Sequence, residues 1–183
     1  MTGDITLSAL VVAHNEEAQL AECLETLSFA DEIVVLFDKT TDRSKEVAEN
    51  YAARLVEGSW EIEGPRRMAG IEACRGAWIL EVDADERVPE ALADEIRTAL
   101  SGAAPGYFLI PFDNYVGDRL VRHGWGGSCG VGAKACLFSK GVKHWGPQRI
   151  HPAVQLTGER RWLTQPMKHF VDRDISDMLR RLD

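Results

Sequence analysis

The stretch Ile5-Thr6-Leu7-Ser8-Ala9-Leu10-Val11-Val12-Ala13, followed at once by His14-Asn15-Glu16, decides how the chain folds. An apolar run of this length, rich in Leu and Val, reads as a strand buried on both faces. Asn15 is suited to cap the helix that follows, where Leu20, Leu24 and Leu27 recur at helical spacing beside Cys23. The first strand thus feeds a first helix through a polar tip.

The alternation recurs further along. Glu32 to Phe37 is a second apolar run, followed by Asp38-Lys39-Thr40-Thr41-Asp42 and a helical stretch through about Ala53. Arg54 to Glu57 reads as a short third strand. Gly64-Pro65 opens another helix, with Pro in the tolerated first turn, and Gly76 closes it before the strand Ala77 to Val82. Pro89 starts a helix that runs to about Leu100. Strands alternating with helices imply an α/β fold: a mostly parallel sheet covered by helices on both faces. Ligands of such sheets bind at the carboxyl ends of the strands, where His14-Asn15-Glu16, Asp38 and Asp83-Ala84-Asp85 fall.

After residue 105 the texture changes to short apolar runs broken by glycine, notably from Gly124 to Gly132. Residues 106–165 read as short strands and long loops packed against the same sheet, with a last helix from about Asp174 to Leu182. The expected organisation is one unit over residues 1–183, with a ligand-binding half (1–104) and a smaller second half (105–183) that is truncated at its end.

Composition narrows the functional classes. With 183 residues, 45% hydrophobic and 27% charged, the chain can bury a core without disulfides or a structural metal. A net charge of -8 argues against gripping nucleic acid, which calls for excess Lys and Arg. Cys23, Cys74, Cys129 and Cys136 show no paired spacing and read as reduced structural thiols. No apolar stretch approaches the ~20 residues of a bilayer span, so a cytoplasmic chain is expected.

The chemistry gathers at the polar tips. Asp83 and Asp85 follow the apolar strand Trp78 to Val82, and alternate residues put both carboxylates on one side. Two hard oxygen donors there suit Mg²⁺ or Mn²⁺, which would neutralise a diphosphate leaving group. Asn15, Glu16 and Asp38 can supply acceptors to a nucleobase and ribose. Arg66 and Arg67, at the start of a helix, can bind diphosphate or a base edge. His144 and His169 read as structural.

These residues carry a resemblance. The chain is similar to family-two glycosyltransferases of GT-A fold through Leu10-Val11-Val12-Ala13-His14-Asn15-Glu16-Glu17, Asp31-Glu32-Ile33-Val34-Val35, Thr40-Thr41-Asp42-Arg43-Ser44, Gly76-Ala77-Trp78-Ile79-Leu80 and Asp83-Ala84-Asp85-Glu86-Arg87-Val88. It resembles the bacterial lipopolysaccharide-core glucosyltransferase branch also at Asn114-Tyr115-Val116-Gly117, Arg122-His123-Gly124-Trp125-Gly126 and Asp174-Ile175-Ser176-Asp177-Met178-Leu179. The resemblance implies a metal-dependent inverting hexosyltransferase using a UDP-linked donor. Its acceptor would be a glycan or lipid-linked lipopolysaccharide core at the inner membrane face. It also implies that Asp83 and Asp85 hold metal and diphosphate, that Ala13, Asn15, Glu16, Asp38 and Ala84 line the nucleotide pocket, and that Arg66 and Arg67 face base or phosphates. Phe37, Lys39 and Met68 depart from the family pattern, as does His151-Pro152, where relatives carry His-Glu.

A base that deprotonates the acceptor must be ionised near neutral pH, and Glu86, Asp113, Asp118 and His151 qualify on chemistry. Asp113, after the apolar run Tyr107 to Pro111, is the first choice. Two other readings use the same residues. One is a haloacid-dehalogenase-type phosphatase, against which Arg87 and the position of the acidic pair on a fourth strand both argue. The other is a nucleotide-sugar-binding module without catalysis.

Overall fold

The computed structural model describes residues 6–121, 132–149 and 153–172. The glycine-rich stretch before Gly132, Cys129, His151-Pro152 and the expected last helix lie outside these residues. The elements run β1 (Leu7–Ala13), α1 (Leu20–Glu25), β2 (Glu32–Asp38), α2 (Ser44–Glu49), β3 (Arg54–Gly58), α3 (Glu63–Ala73), β4 (Trp78–Asp83), β5 (Glu86–Arg87) and α4 (Glu90–Leu100). They continue with β6 (Gly106–Val116), β7 (Arg119–Leu120), β8 (Ala133–Ser139), β9 (Lys143–Trp145), β10 (Val154–Leu156), β11 (Glu159–Trp162) and β12 (Met167–Asp172).

Ten strands form one sheet in the order β3-β2-β1-β4-β8-β6-β12-β5, with β7 and β11 also on β6. β1 lies between β2 and β4 and is parallel to both, so Ala13 is level with Phe37 and Val12 with Asp83. The expected strand-helix alternation of the first hundred residues is present. On one face Leu20, Leu24 and Leu27, with Leu92, Ile96 and Leu100 of α4, pack on Ala9, Val11, Val35 and Leu80. On the other, Ile71 of α3 meets Leu10, Val34, Ile79 and Phe138. Each fully buried aliphatic or Phe side chain contributes roughly 1.5–3 kcal/mol of burial free energy. α3 lies so close to β1 that a Cβ on Gly70 would be 2.9 Å from Leu10 Cδ1.

The second half holds the expected short strands, among them β7, β11 and the separate β9–β10 pair, but part of it enters the main sheet: β6 runs eleven residues through it with alternating burial up to Asn114. Pro111 and Asp113-Asn114 read as a break because Pro cannot donate to a ladder. The Phe112 amide donates to Gly132 O on the β8 side, so the missing amide at Pro111 faces the other side. There β11 has ended opposite Leu109 and β12 has not begun. Pro111 therefore costs no ladder bond.

At the amino end of β1, Ser8 Oγ donates to Glu32 Oε2 (2.6 Å) and accepts from Gly76 N (2.8 Å). Arg75 donates to Glu32 through its amide (2.9 Å) and Nε (2.6 Å). Burial works against the Glu32 charge, but hydrogen bonds from Ser8 and Arg75 outweigh it and hold the carboxyl below its ordinary value. A depressed carboxyl stabilises the fold above its unfolded pKa, and that stability is lost as pH falls through the folded one. Glu32→Gln is expected to lower stability at pH 7 by about 1–3 kcal/mol in urea denaturation, with the deficit narrowing as the pH falls below the ordinary glutamate range. An unchanged midpoint at pH 7 would contradict this lock.

Candidate active site

Parallel pairing of β1 with β2 and β4 gathers the three polar tips on one edge. Asn15, in the left-handed region at φ 56°, turns its side chain across the edge: Oδ1 accepts from Thr41 N (2.8 Å) and Asp42 N (3.3 Å). It therefore does not cap α1, which starts at Leu20 behind Gln19 with no side-chain cap. His14 Nδ1 lies 2.6 Å from the carbonyl oxygen of Asp38. Ala13 is the buried last residue of β1, and its carbonyl accepts weakly from Thr40 Oγ1 (3.4 Å). Asp38 is itself buried; Oδ1 accepts from Trp60 N (3.0 Å) and Oδ2 from Arg66 Nη1 (3.1 Å). Glu16 is close enough to the acidic pair to feel it: burial, then the charges of Asp85 and Asp42, raise its pKa against the hydrogen bond from Gln19.

The two aspartates are in different situations. Asp83 Oδ1 is 2.9 Å from Arg67 Nη1, and Oδ2 is 3.2 Å from Lys134 Nζ on β8. Burial alone would raise its pKa, but the two cations bring it down to about 2. Arg67 is also 3.4 Å from Glu63 and stacks over the Trp145 ring at 5.6 Å. Lys134 further binds Glu86 Oε1 at 2.5 Å, while Glu86 Oε2 accepts from Asp83 N (3.0 Å). Glu86 is buried, and burial together with the Asp83 charge pushes it up to about 7 despite Lys134. Arg87 ties the turn to α1, donating to Ala84 O (2.8 Å), Gln19 O (3.1 Å) and Glu22 (3.1 Å). Ala84 is thereby buried at the turn.

Among the described residues Asp85 has no such cations. Its Oδ2 lies 3.3 Å from His169 Nε2 on β12, and its Oδ1 is buried with no hydrogen-bond partner among the described residues. The Nδ1 of His169 is 2.8 Å from Asn114 Oδ1, which leaves Nε2 facing Asp85. Ligand atoms of Asp85, Glu86 and His169 all lie within 4.8 Å of one another. With both Glu86 oxygens engaged, Asp85 and His169 are the donors that remain. An orphaned carboxylate oxygen beside an imidazole whose second nitrogen is anchored fits a divalent cation.

The structure does not bring Asp113 to this group. Phe112, under Lys134, and Asn114, bonded to His169, are the β6 residues that reach it. Asp113 lies between them, level with Lys168, so strand alternation turns it to the opposite face. The sequence places it after an apolar run, but that run continues through it as strand. Asp118 is exposed at the β6–β7 turn. Conversely, Lys134 goes unmarked in sequence and His169 is read there as structural, their only signal being a charged or imidazole side chain beside apolar strand residues.

Residues 8–122 match the sequence model of Glycosyl transferase family 2. The chain belongs to that family. The lipopolysaccharide core biosynthesis glycosyltransferase LpsC of Rhizobium meliloti is 28% identical over 127 residues, covering 67% of this chain and 44% of LpsC. The chain thus spans less than half the length of that relative. Staphylococcus aureus TarS 1–349 superposes with a TM-score of 0.66 at 14% identity, covering 91% of this chain and 60% of TarS 1–349. Glucosyl-3-phosphoglycerate synthase of Mycobacterium tuberculosis, in complex with Mn²⁺, UDP and glucosyl-3-phosphoglycerate, superposes at 0.50 with 22% identity, covering 61% of this chain and 44% of that one. The family-2 chain has the GT-A fold of these structures.

The clamp on Asp83 yields a stability test. Lys134→Met leaves Glu86 buried beside Asp83 without its cation and is expected to cost about 3–5 kcal/mol in urea denaturation. Adding Glu86→Gln should restore part of that loss, because the orphaned charge is gone. Wild-type stability in Lys134→Met would show that the contact is not formed.

Proposed function

We propose that this chain transfers a hexose from a UDP-linked donor to a glycan or lipid-linked acceptor, with inversion at the anomeric carbon. The observation that carries the reading is the division of labour between the two aspartates, one neutralised by Arg67 and Lys134 and the other left with an unpaired oxygen beside His169. Asp85 and His169 would hold Mn²⁺ or Mg²⁺. Such an ion, when bound, offsets negative charge on the diphosphate leaving group. Arg67 and Lys134 hold Asp83 ionised at the same tip, where it accepts hydrogen bonds from donor hydroxyls. Asp38, Asn15, Glu16 and Arg66, with the backbone at Ala13 and Ala84, form the nucleoside side of the pocket.

In the transfer, an acceptor hydroxyl attacks the anomeric carbon while the bond to the diphosphate oxygen breaks, and the hydroxyl proton passes to a base. Asp113 is not placed to be that base. Support for a UDP donor comes from the complexes of the structural neighbours, and support for a lipopolysaccharide-type acceptor from the LpsC resemblance. An acceptor of that kind would bring the protein to the inner membrane face; among the described residues no helix is long and apolar enough to cross a membrane.

Thermal shift with UDP, with and without Mn²⁺, tests the reading, because a ligand that binds the native state raises its melting temperature. UDP plus Mn²⁺ is expected to stabilise the chain more than either alone. Asp85→Asn and His169→Ala should remove the Mn²⁺-dependent part, Asp38→Ala should weaken the UDP-dependent part, and Asp113→Asn should behave as the unsubstituted chain. If UDP gives no stabilisation with either metal, the donor assignment is wrong.

A further inference from the structure

Behind Asp83 the same face of the sheet opens into a cavity of about 340 Å³, at the small end of the range for small-molecule sites. Its wall is β4 and β8, its side is Arg67 of α3, and the β9–β10 hairpin covers it with Trp145, Val154 and Leu156. Glu81, two residues before Asp83 on β4, points into it and is only 5% exposed. Lys143 of β9 pairs with Glu81 Oε2, donates to Ala135 O (3.1 Å), and lies over the Phe138 and Trp145 rings.

Two polar atoms in this cavity are left over. Among the described residues, Glu81 Oε1 and Trp145 Nε1 are both buried without a hydrogen-bond partner. A buried carboxylate oxygen and a buried indole N–H each forfeit free energy when unpaired, on the order of 1–3 kcal/mol or more for the charged group. Both residues line the same cavity, Glu81 from its wall and Trp145 from its cover. Something that both donates and accepts would satisfy them together. A hydroxyl does so, and adjacent hydroxyls on a ring do so with a ring face to lay against Trp145.

The charges narrow the ligand further. Among the described residues, the three cations that line the cavity each already face a carboxylate: Arg67 faces Asp83, Lys134 faces Asp83 and Glu86, and Lys143 faces Glu81. A carboxylate on the ligand would meet no unpaired cation among the described residues and would be repelled by Glu81. We infer that Glu81 and Trp145 read the hydroxyls of an uncharged pyranose, the sugar of the donor, and that the paired cations exclude sugar acids. This rests on the nucleotide-sugar reading above and adds to it the residues that select the sugar. Glu81 is a specificity residue, acting on the ring hydroxyls and not on the diphosphate.

Saturation-transfer NMR on the full chain with Mg²⁺ separates the two layers, because uracil and sugar protons are observed in one spectrum. With UDP-glucose and UDP-galactose as probes, saturation is expected on the uracil protons and on the pyranose protons of at least one of them. UDP-glucuronate should show the uracil signal with its sugar protons at less than half that level. Glu81→Gln and the milder Trp145→Phe, which keeps a ring but removes the N–H, should each leave uracil saturation unchanged and lower pyranose saturation at least twofold. Normal uracil signals with pyranose saturation unaltered in both variants, or absent in the unsubstituted chain, or equal for the glucuronate, would overturn this inference and leave the nucleotide site standing. Absence of uracil saturation would overturn the underlying nucleotide reading and this inference with it.

Discussion

β1 is hydrogen-bonded in parallel to a strand on each side, and that pairing is the constraint from which the site follows. Three strands that run the same way in fixed register must end on one edge. Whatever polar residues follow their apolar runs are brought together there, however far apart they stand in sequence. The register is pinned at the far end, where Ser8 joins Glu32 and the α3–β4 connection through hydrogen bonds shielded from water. A slip of one residue along β1 would break that network and turn its apolar side chains to the wrong faces.

Gathering acidic groups on one edge is costly unless each is answered. Asp83, Glu86 and Glu81 are answered by Arg67, Lys134 and Lys143, which arrive from α3, β8 and β9. Glu81 and Lys143 lie almost wholly out of water, where a pair roughly breaks even at best and removal of either partner is severe. Such a network holds side chains in place more than it adds stability. Asp85 stands outside it, with an imidazole as neighbour and an oxygen unsatisfied. Within one Asp-Ala-Asp turn, then, one carboxylate is held by two cations of the protein and the other keeps an oxygen with no partner among the described residues.

Much of this was legible in the sequence, for a physical reason. Parallel strands buried on both faces are continuous apolar runs, so β1, β2 and β4 and their polar tips stand out, and helices such as α4 declare themselves by Pro89 and the spacing of Leu92, Ile96 and Leu100. The second half was harder. β6 carries a proline and an Asp-Asn pair in mid-strand, features that local rules assign to turns, and only the gap between β11 and β12 explains why they are tolerated. Lys134, His169, Glu81 and Lys143 were missed because each acts through a charged partner 48 to 84 residues away. A single charged residue in an apolar strand marks a buried pair but does not say with whom. Asp113 failed for the complementary reason: its residue type suited a base, and its phase in the strand did not.

The central claim is that Asp85 and His169, not the cation-bound Asp83, hold the divalent ion. Electron-nuclear double resonance on the Mn²⁺–UDP complex of protein labelled with ¹⁵N-histidine tests it most directly, since the coupling reports a nitrogen in the metal's own coordination shell. The account predicts a ¹⁵N coupling of directly bound imidazole that persists in His144→Gln and disappears in His169→Gln. A Mn²⁺–UDP complex with no histidine coupling, or with one that survives His169→Gln, would contradict it.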